Sequence, residues 1–130
     1  MAARAKVFEY AVEVDRGNRM TIPGGAQIAP AEGWPPDHLL LAALVRCSID
    51  SFTYHAHRAG HEVTALGSAR GRVTKRESDG RYAFVEIHVE VDVQLTPRSD
   101  DPADLAAKAE RDCFVGASLS IEPEYTWRVS

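Results

Sequence analysis

Cys47 and Cys113 are the only cysteines in this 130-residue chain, and they are its best candidates for covalent chemistry. A thiol with a pKa near 8.5 is only a few per cent ionised at neutral pH, roughly, and the thiolate is the nucleophile. A reactive cysteine therefore needs a cation beside it or a helix N-terminus beneath it. Each cysteine also has a plain alternative reading. In the middle of an apolar helix, cysteine is ordinarily a small buried hydrophobe. The two residues are thus either core packing or a redox pair.

Little else offers chemistry of its own. His38, His55, His57, His61 and His88 are scattered; His57 and His61 lie four apart but Gly60 interrupts them, and no metal spacing results. Arg70, Arg72, Lys75 and Arg76 gather locally, followed by Glu77 and Asp79, and read as the solvated face of a strand. With a net charge of -4, the chain lacks the clustered basic surface that nucleic acid requires. The opening Met1-Ala-Ala-Arg-Ala-Lys has no apolar run behind it to act as a signal. The longest apolar run, residues 39–45, is far short of the roughly 20 needed to span a bilayer. A cytoplasmic protein is expected, with no membrane partner, where thiols stay reduced and a static disulfide is out of place.

The elements that must position the cysteines can be read from periodicity and turn chemistry. Residues 7–14 alternate as a first strand, Asp15-Arg16-Gly17-Asn18 is a turn, and residues 19–22 form a short return strand. Residues 23–36, rich in Pro and Gly, read as a loop. Pro35-Pro36-Asp37 opens a helix that Gly60 ends. From residue 39 to 45 this helix is apolar all round, which calls for burial on every side and so for a second subunit. Beyond Cys47 it turns amphipathic, with Ile49, Phe52 and Ala56 on one stripe and Asp50, His57 and Arg58 on the other.

Residues 62–75 and 82–95, joined by Ser78-Asp79-Gly80, read as a long antiparallel hairpin. Val85, Ile87, Val89, Val91 and Val93 face one side of it; Phe84, Glu86, His88, Glu90 and Asp92 face the other. Asp101-Pro102 caps a second helix, whose spacing (Leu105, Ala106, Ala109, Cys113) runs to the second cysteine before Gly116 breaks it. Residues 125–129 close as a strand. The order ββ-α-ββ-α-β, with helices segregated from antiparallel strands, gives an α+β fold. Cys47 lies about ten residues inside its helix, too deep for the helix dipole to activate it. Arg46 points roughly 100° away from it, leaving Arg16 or Arg19 on the early turn as the available cation.

The stretch Pro36-Asp37-His38-Leu39-Leu40-Leu41-Ala42-Ala43-Leu44-Val45-Arg46-Cys47 resembles the hallmark of the OsmC/Ohr family of osmotically inducible and organic hydroperoxide resistance proteins. In that hallmark a Pro-acidic pair precedes Leu-Leu-x-Ala-Ala, with a cysteine ten residues after the acid. Residues 109–119, around Cys113, resemble the family's second cysteine motif, and the intervening hairpin matches as well. The resemblance implies a single OsmC-like domain over 1–130 and an intertwined α+β homodimer with two central helices carrying the cysteines. It implies a peroxidase that reduces organic hydroperoxides, and hydrogen peroxide less well, at the expense of an external thiol or dithiol and without a cofactor or metal. Cys47 would be the attacking thiolate and Cys113 the resolving thiol. Arg16, with Arg19 as the alternative, would stabilise the thiolate and Asp37 would orient that arginine. Leu40, Leu44 and Phe114 would line an apolar substrate pocket. The chain departs from the family pattern at Asp37, usually Glu, at Phe114, usually Pro, and at Arg46, usually a small residue. Two other activities remain open: a binding protein with a decayed site, or a thiol–disulfide redox sensor.

Overall fold

The structure is a computed structural model that describes residues 5–28 and 34–130, and it divides into two compact units, residues 1–35 and 36–130. In the first unit β1 (Glu13–Val14), β2 (Met20–Thr21) and β3 (Gln27–Ile28) form an antiparallel meander. Asp15 builds the first turn: its Oδ1 accepts the backbone N–H of Gly17 at 2.8 Å and of Arg19 at 2.9 Å, while Asn18 takes a φ of 60°. Arg16 and Arg19 are exposed on this turn.

Two expectations need correction here. The strand expected over 7–14 is reduced to its last two residues, because only Met20 and Thr21 return to pair with it and alternation without a partner makes no ladder. The segment read as a loop from residue 23 contains β3: a second tight turn around Gly24, at φ 71°, brings Gln27 and Ile28 back beside β2.

The second unit contains α1 (Pro36–Arg58), β4 (Glu62–Lys75), β5 (Tyr82–Thr96), α2 (Pro102–Arg111), α3 (Phe114–Ala117) and β6 (Glu124–Val129). The hairpin has its expected boundaries to within one residue, with Glu62 opposite Thr96 and Lys75 opposite Tyr82. Ile87, Val89, Val91, Val93 and Leu95 on β5 are buried, and α1 packs on their face of the sheet. The turn cap of α2 also forms as read: Asp101 Oδ1 accepts the N–H of Asp104 at 3.2 Å and Pro102 occupies the first helical turn.

The sheet order is β4-β5-β6, but β6 runs parallel to β5, pairing His88 with Glu124 through Val93 with Val129. The sheet is therefore mixed rather than wholly antiparallel, since α2 and α3 carry the chain back before β6 begins. The apolar stretch at the start of α1 is not buried on every side either: Leu44 is fully buried, Leu39, Leu40 and Leu41 are partly covered, and Ala42 and Ala43 are exposed. One chain has only enough core to cover one stripe of it.

Gly67 on β4 lets the helix come close. A Cβ there would sit 3.0 Å from Val45 Cγ1 and 3.0 Å from the carbonyl oxygen of Glu90. Gly67→Val should push α1 off the sheet and cost about 1–3 kcal/mol by overpacking, measured as a lower urea midpoint with unchanged slope.

Candidate active site

Helix α1 buries a four-residue stripe, Leu44, Ser48, Phe52 and Ala56, against the sheet. The adjoining row, one residue earlier at each turn, is Cys47, Ser51 and His55, and it faces the junction between α2 and α3. Ser51 Oγ donates to the carbonyl oxygen of Ala109 at 2.9 Å. His55 Nε2 lies 2.7 Å from Asp112 Oδ2 and donates to it, because that carboxylate is ionised. Arg111 grips the same carboxylate with two hydrogen bonds of 3.0 Å. The residue after this clamp is Cys113, so side chains of α1 fix where the second cysteine stands.

Cys113 is not part of the helix that precedes it, contrary to its spacing. Asp112 caps α2, and Cys113, fully buried, is the N-cap of the short α3, its Sγ accepting the N–H of Gly116 at 3.5 Å. A break of this kind turns the thiol from the α2 stripe towards α1. Cys47 is half-buried, and the groups that act on its thiol are the Cys113 side chain and the backbone amides of Val115 and Phe114. Both thiols are free. Burial pushes the Cys47 thiol up from its ordinary value, and the adjacent Cys113 pushes it the same way; the two amides pull in the opposite direction without cancelling the rise. Those amides belong to the first two residues of α3, and each favours negative charge on the sulfur.

Behind the thiols lies a small polar cluster. Ser48, completely buried, donates its hydroxyl to the carbonyl oxygen of Leu44 at 2.7 Å. Tyr125 Oη is 3.0 Å from Ser48 Oγ and Cys113 Sγ is 3.7 Å from it. Burial raises the Tyr125 phenol to about 12. Its ring stacks on Trp127 at 5.6 Å between centroids, and Trp127 stacks in turn on Phe52 at 5.2 Å.

The structure thus brings together Cys47, Cys113 and the backbone of Phe114. Leu44 is fully buried in the core, Leu40 is partly covered, and the Phe114 side chain is 63% exposed. Asp37 is exposed in the first turn of α1. Ten residues of continuous helix separate it from Cys47, about 15 Å along the axis. Arg16 and Arg19 belong to the first unit and sit on its turn. Arg46 pairs with Asp50 at 3.4 Å, in the direction its helical position requires.

Ser48, Tyr125, His55 and Asp112 were not singled out by sequence reasoning. Ser48 had a detectable signal, a hydroxyl at the fourth residue after Leu44 on the buried stripe; Tyr125 had none, because its strand direction was unknown.

A model of the OsmC-like protein family matches residues 29–128, which includes both cysteines. The chain belongs to the OsmC-like family. Its fold is similar to that of an OsmC-like protein of unknown function from Vibrio cholerae, with a TM-score of 0.75, 15% identity, and coverage of 93% of this chain and 99% of that one. It is also similar to the organic hydroperoxide resistance protein OhrB of Bacillus subtilis, with a TM-score of 0.60, 17% identity, and coverage of 94% and 96%. A third similar structure is an organic hydroperoxide resistance protein from Elizabethkingia anophelis, with a TM-score of 0.66, 15% identity, and coverage of 98% and 99%. Comparison with curated proteins gives no match in sequence. Among the described residues no helix is long and apolar enough to cross a membrane, and no cluster of His, Cys, Asp and Glu could hold a metal.

The clamp that seats Cys113 carries a pH signature. Asp112 is held down to about 2, first by Arg111 and then by His55. A carboxyl depressed in the folded state contributes stability above its unfolded value near 3.9, roughly, and loses it as pH falls further. Asp112→Asn should therefore unfold at lower urea than the parent at pH 7, and the gap should close as pH falls from about 4 towards 2.

Proposed function

We propose that this OsmC-like protein is a thiol peroxidase that reduces organic hydroperoxides, and hydrogen peroxide less well, in the cytoplasm. The observation that carries this reading is the seat of Cys47. A half-buried thiol beside a second free thiol, with two helix-initiating amides directed at it, suits attack on a peroxide followed by disulfide closure. The Cys47 thiolate attacks the peroxide oxygen, breaking the O–O bond; Cys47 becomes a sulfenic acid, and the alkoxide leaves as the alcohol by taking back from solvent the proton that Cys47 released on ionising. The Cys113 thiol then displaces water to give the Cys47–Cys113 disulfide. An external thiol or dithiol restores both thiols by exchange. The names of the Bacillus and Elizabethkingia structures point to the same substrate class.

Because burial raises Cys47, activation requires a cation. Arg16 is the proposed source, with Arg19 as the alternative and Asp37 to orient the guanidinium, whose fixed charge and planar fork suit both thiolate and peroxide oxygen. Leu40, Leu44 and Phe114 are proposed to favour alkyl peroxides. Asp37 and Cys47 are too far apart on one helix for direct contact, and apolar surface remains uncovered on that helix, so the active form is proposed to be a homodimer.

The raised Cys47 favours one competing reading, a thiol–disulfide redox sensor or a decayed site that keeps the fold without turnover. Thiol consumption separates them. Cumene hydroperoxide at one equivalent should remove both thiols and leave an intramolecular disulfide, Cys47→Ser should abolish the reaction, and hydrogen peroxide should act more slowly; survival of both thiols in excess cumene hydroperoxide would refute the peroxidase. Arg16→Gln should move the alkylation profile of Cys47 to higher pH while Arg19→Gln leaves it in place, read by iodoacetamide labelling and peptide mass. Light scattering should give twice the chain mass.

A further inference from the structure

Ser48 is the one polar residue in the buried set of the described chain, and its hydrogens can be counted. A serine hydroxyl has one proton and two lone pairs. The proton goes to the Leu44 carbonyl at 2.7 Å, since a carbonyl can only accept. With that proton spent, Tyr125 at 3.0 Å and Cys113 at 3.7 Å can reach Ser48 Oγ only as donors. Ser48 is saturated only while Cys113 carries a proton.

We propose that Ser48 is a positioning residue that sets the redox equilibrium of the cysteine pair: it accepts the Cys113 S–H and so favours the dithiol over the disulfide. This rests on the reading of Cys47 and Cys113 as a redox pair, and it adds a residue that acts through Cys113 without touching substrate. Closing the disulfide removes the S–H proton and leaves one lone pair of a buried oxygen without a donor. That cost falls on the oxidised state alone. The result is a disulfide that an external dithiol reduces more readily than it would without Ser48.

The test is equilibration of the full chain with reduced and oxidised dithiothreitol. Two protein thiols give up two electrons and two protons to the cyclic disulfide, yielding the protein disulfide and dithiothreitol. Ser48→Ala should raise the equilibrium constant for protein oxidation about threefold to tenfold, the effect of one buried hydrogen bond; tenfold corresponds to about 30 mV. Ser48→Thr, which keeps the hydroxyl, and Ser51→Ala, which removes the hydrogen bond to the Ala109 carbonyl without touching the S–H, should each stay within about twofold of the parent. An unchanged constant in Ser48→Ala, or an equal shift in Ser51→Ala, would overturn the proposal, the second because it would mark general loosening. If Ser48→Ala does not fold, the infrared S–H stretch of Cys47→Ala, which keeps only the Cys113 thiol and adds no acceptor beside it, decides. A band shifted to low frequency supports the bond to Ser48, and an unshifted band overturns it.

A parent protein that equilibrates with dithiothreitol but ignores cumene hydroperoxide refutes the peroxidase and leaves the role of Ser48 standing. A parent oxidised by the peroxide whose constant is insensitive to Ser48→Ala does the reverse. A parent that forms no disulfide with either oxidant overturns both.

Discussion

The burial of one face of α1 is the constraint from which the rest of the second unit follows. Leu44, Ser48, Phe52 and Ala56 recur every four residues and pack on the valine-rich face of β5, with Gly67 of β4 leaving room for Val45. Once that stripe is seated, helical geometry gives Cys47, Ser51 and His55 no freedom: they occupy the neighbouring row and meet the α2–α3 junction. Hydrophobic burial sets the helix rotation, and the polar contacts at 2.7–2.9 Å then place a loop with an accuracy that burial alone does not provide.

The environment of the two thiols follows from how the chain turns between α2 and α3. An uninterrupted α2 would keep Cys113 on the stripe of Leu105 and Ala109 as another small hydrophobe. Ending the helix at Arg111 gives Cys113 the role of a cap, in which a sulfur accepts a backbone N–H and the next amides face Cys47. The same two-residue interruption exposes Asp112 to Arg111 and His55. Local backbone geometry here decides whether a cysteine is packing or chemistry.

Much of this was legible in the sequence because it depends on short-range rules. The 3.6-residue stripe of α1, the alternation from Glu86 to Leu95 and the Asp101-Pro102 cap are local signals that formed as read, whereas a register shift opposite Arg72 and Val73 leaves Val85 unpaired and puts Phe84 against the core. What failed needed information from far along the chain. Residues 7–14 alternate loosely and have only a two-residue partner, and β6 could not be oriented until the path of α2 and α3 was known. The cysteine pair was marked by its flanking motifs, whereas Ser48 and Tyr125 become a cluster only when strand direction places one against the other. The burial expected all round residues 39–45 overstated what one chain can cover, since periodicity reports apolarity without saying who supplies the other surface.

The parallel placement of β6 also bears on when the site can exist. Its parts come from α1, from the cap of α3 and from the last strand, so contacts of long sequence separation must close before the thiols are held. Contacts of this kind form late, because loop entropy must be overcome first. During synthesis the helix carrying Cys47 is complete while Tyr125 has yet to leave the ribosome. The polar environment of Cys113 is thus withheld until the C-terminal strand docks, and a chain still lacking that strand holds its two cysteines without the cluster behind them.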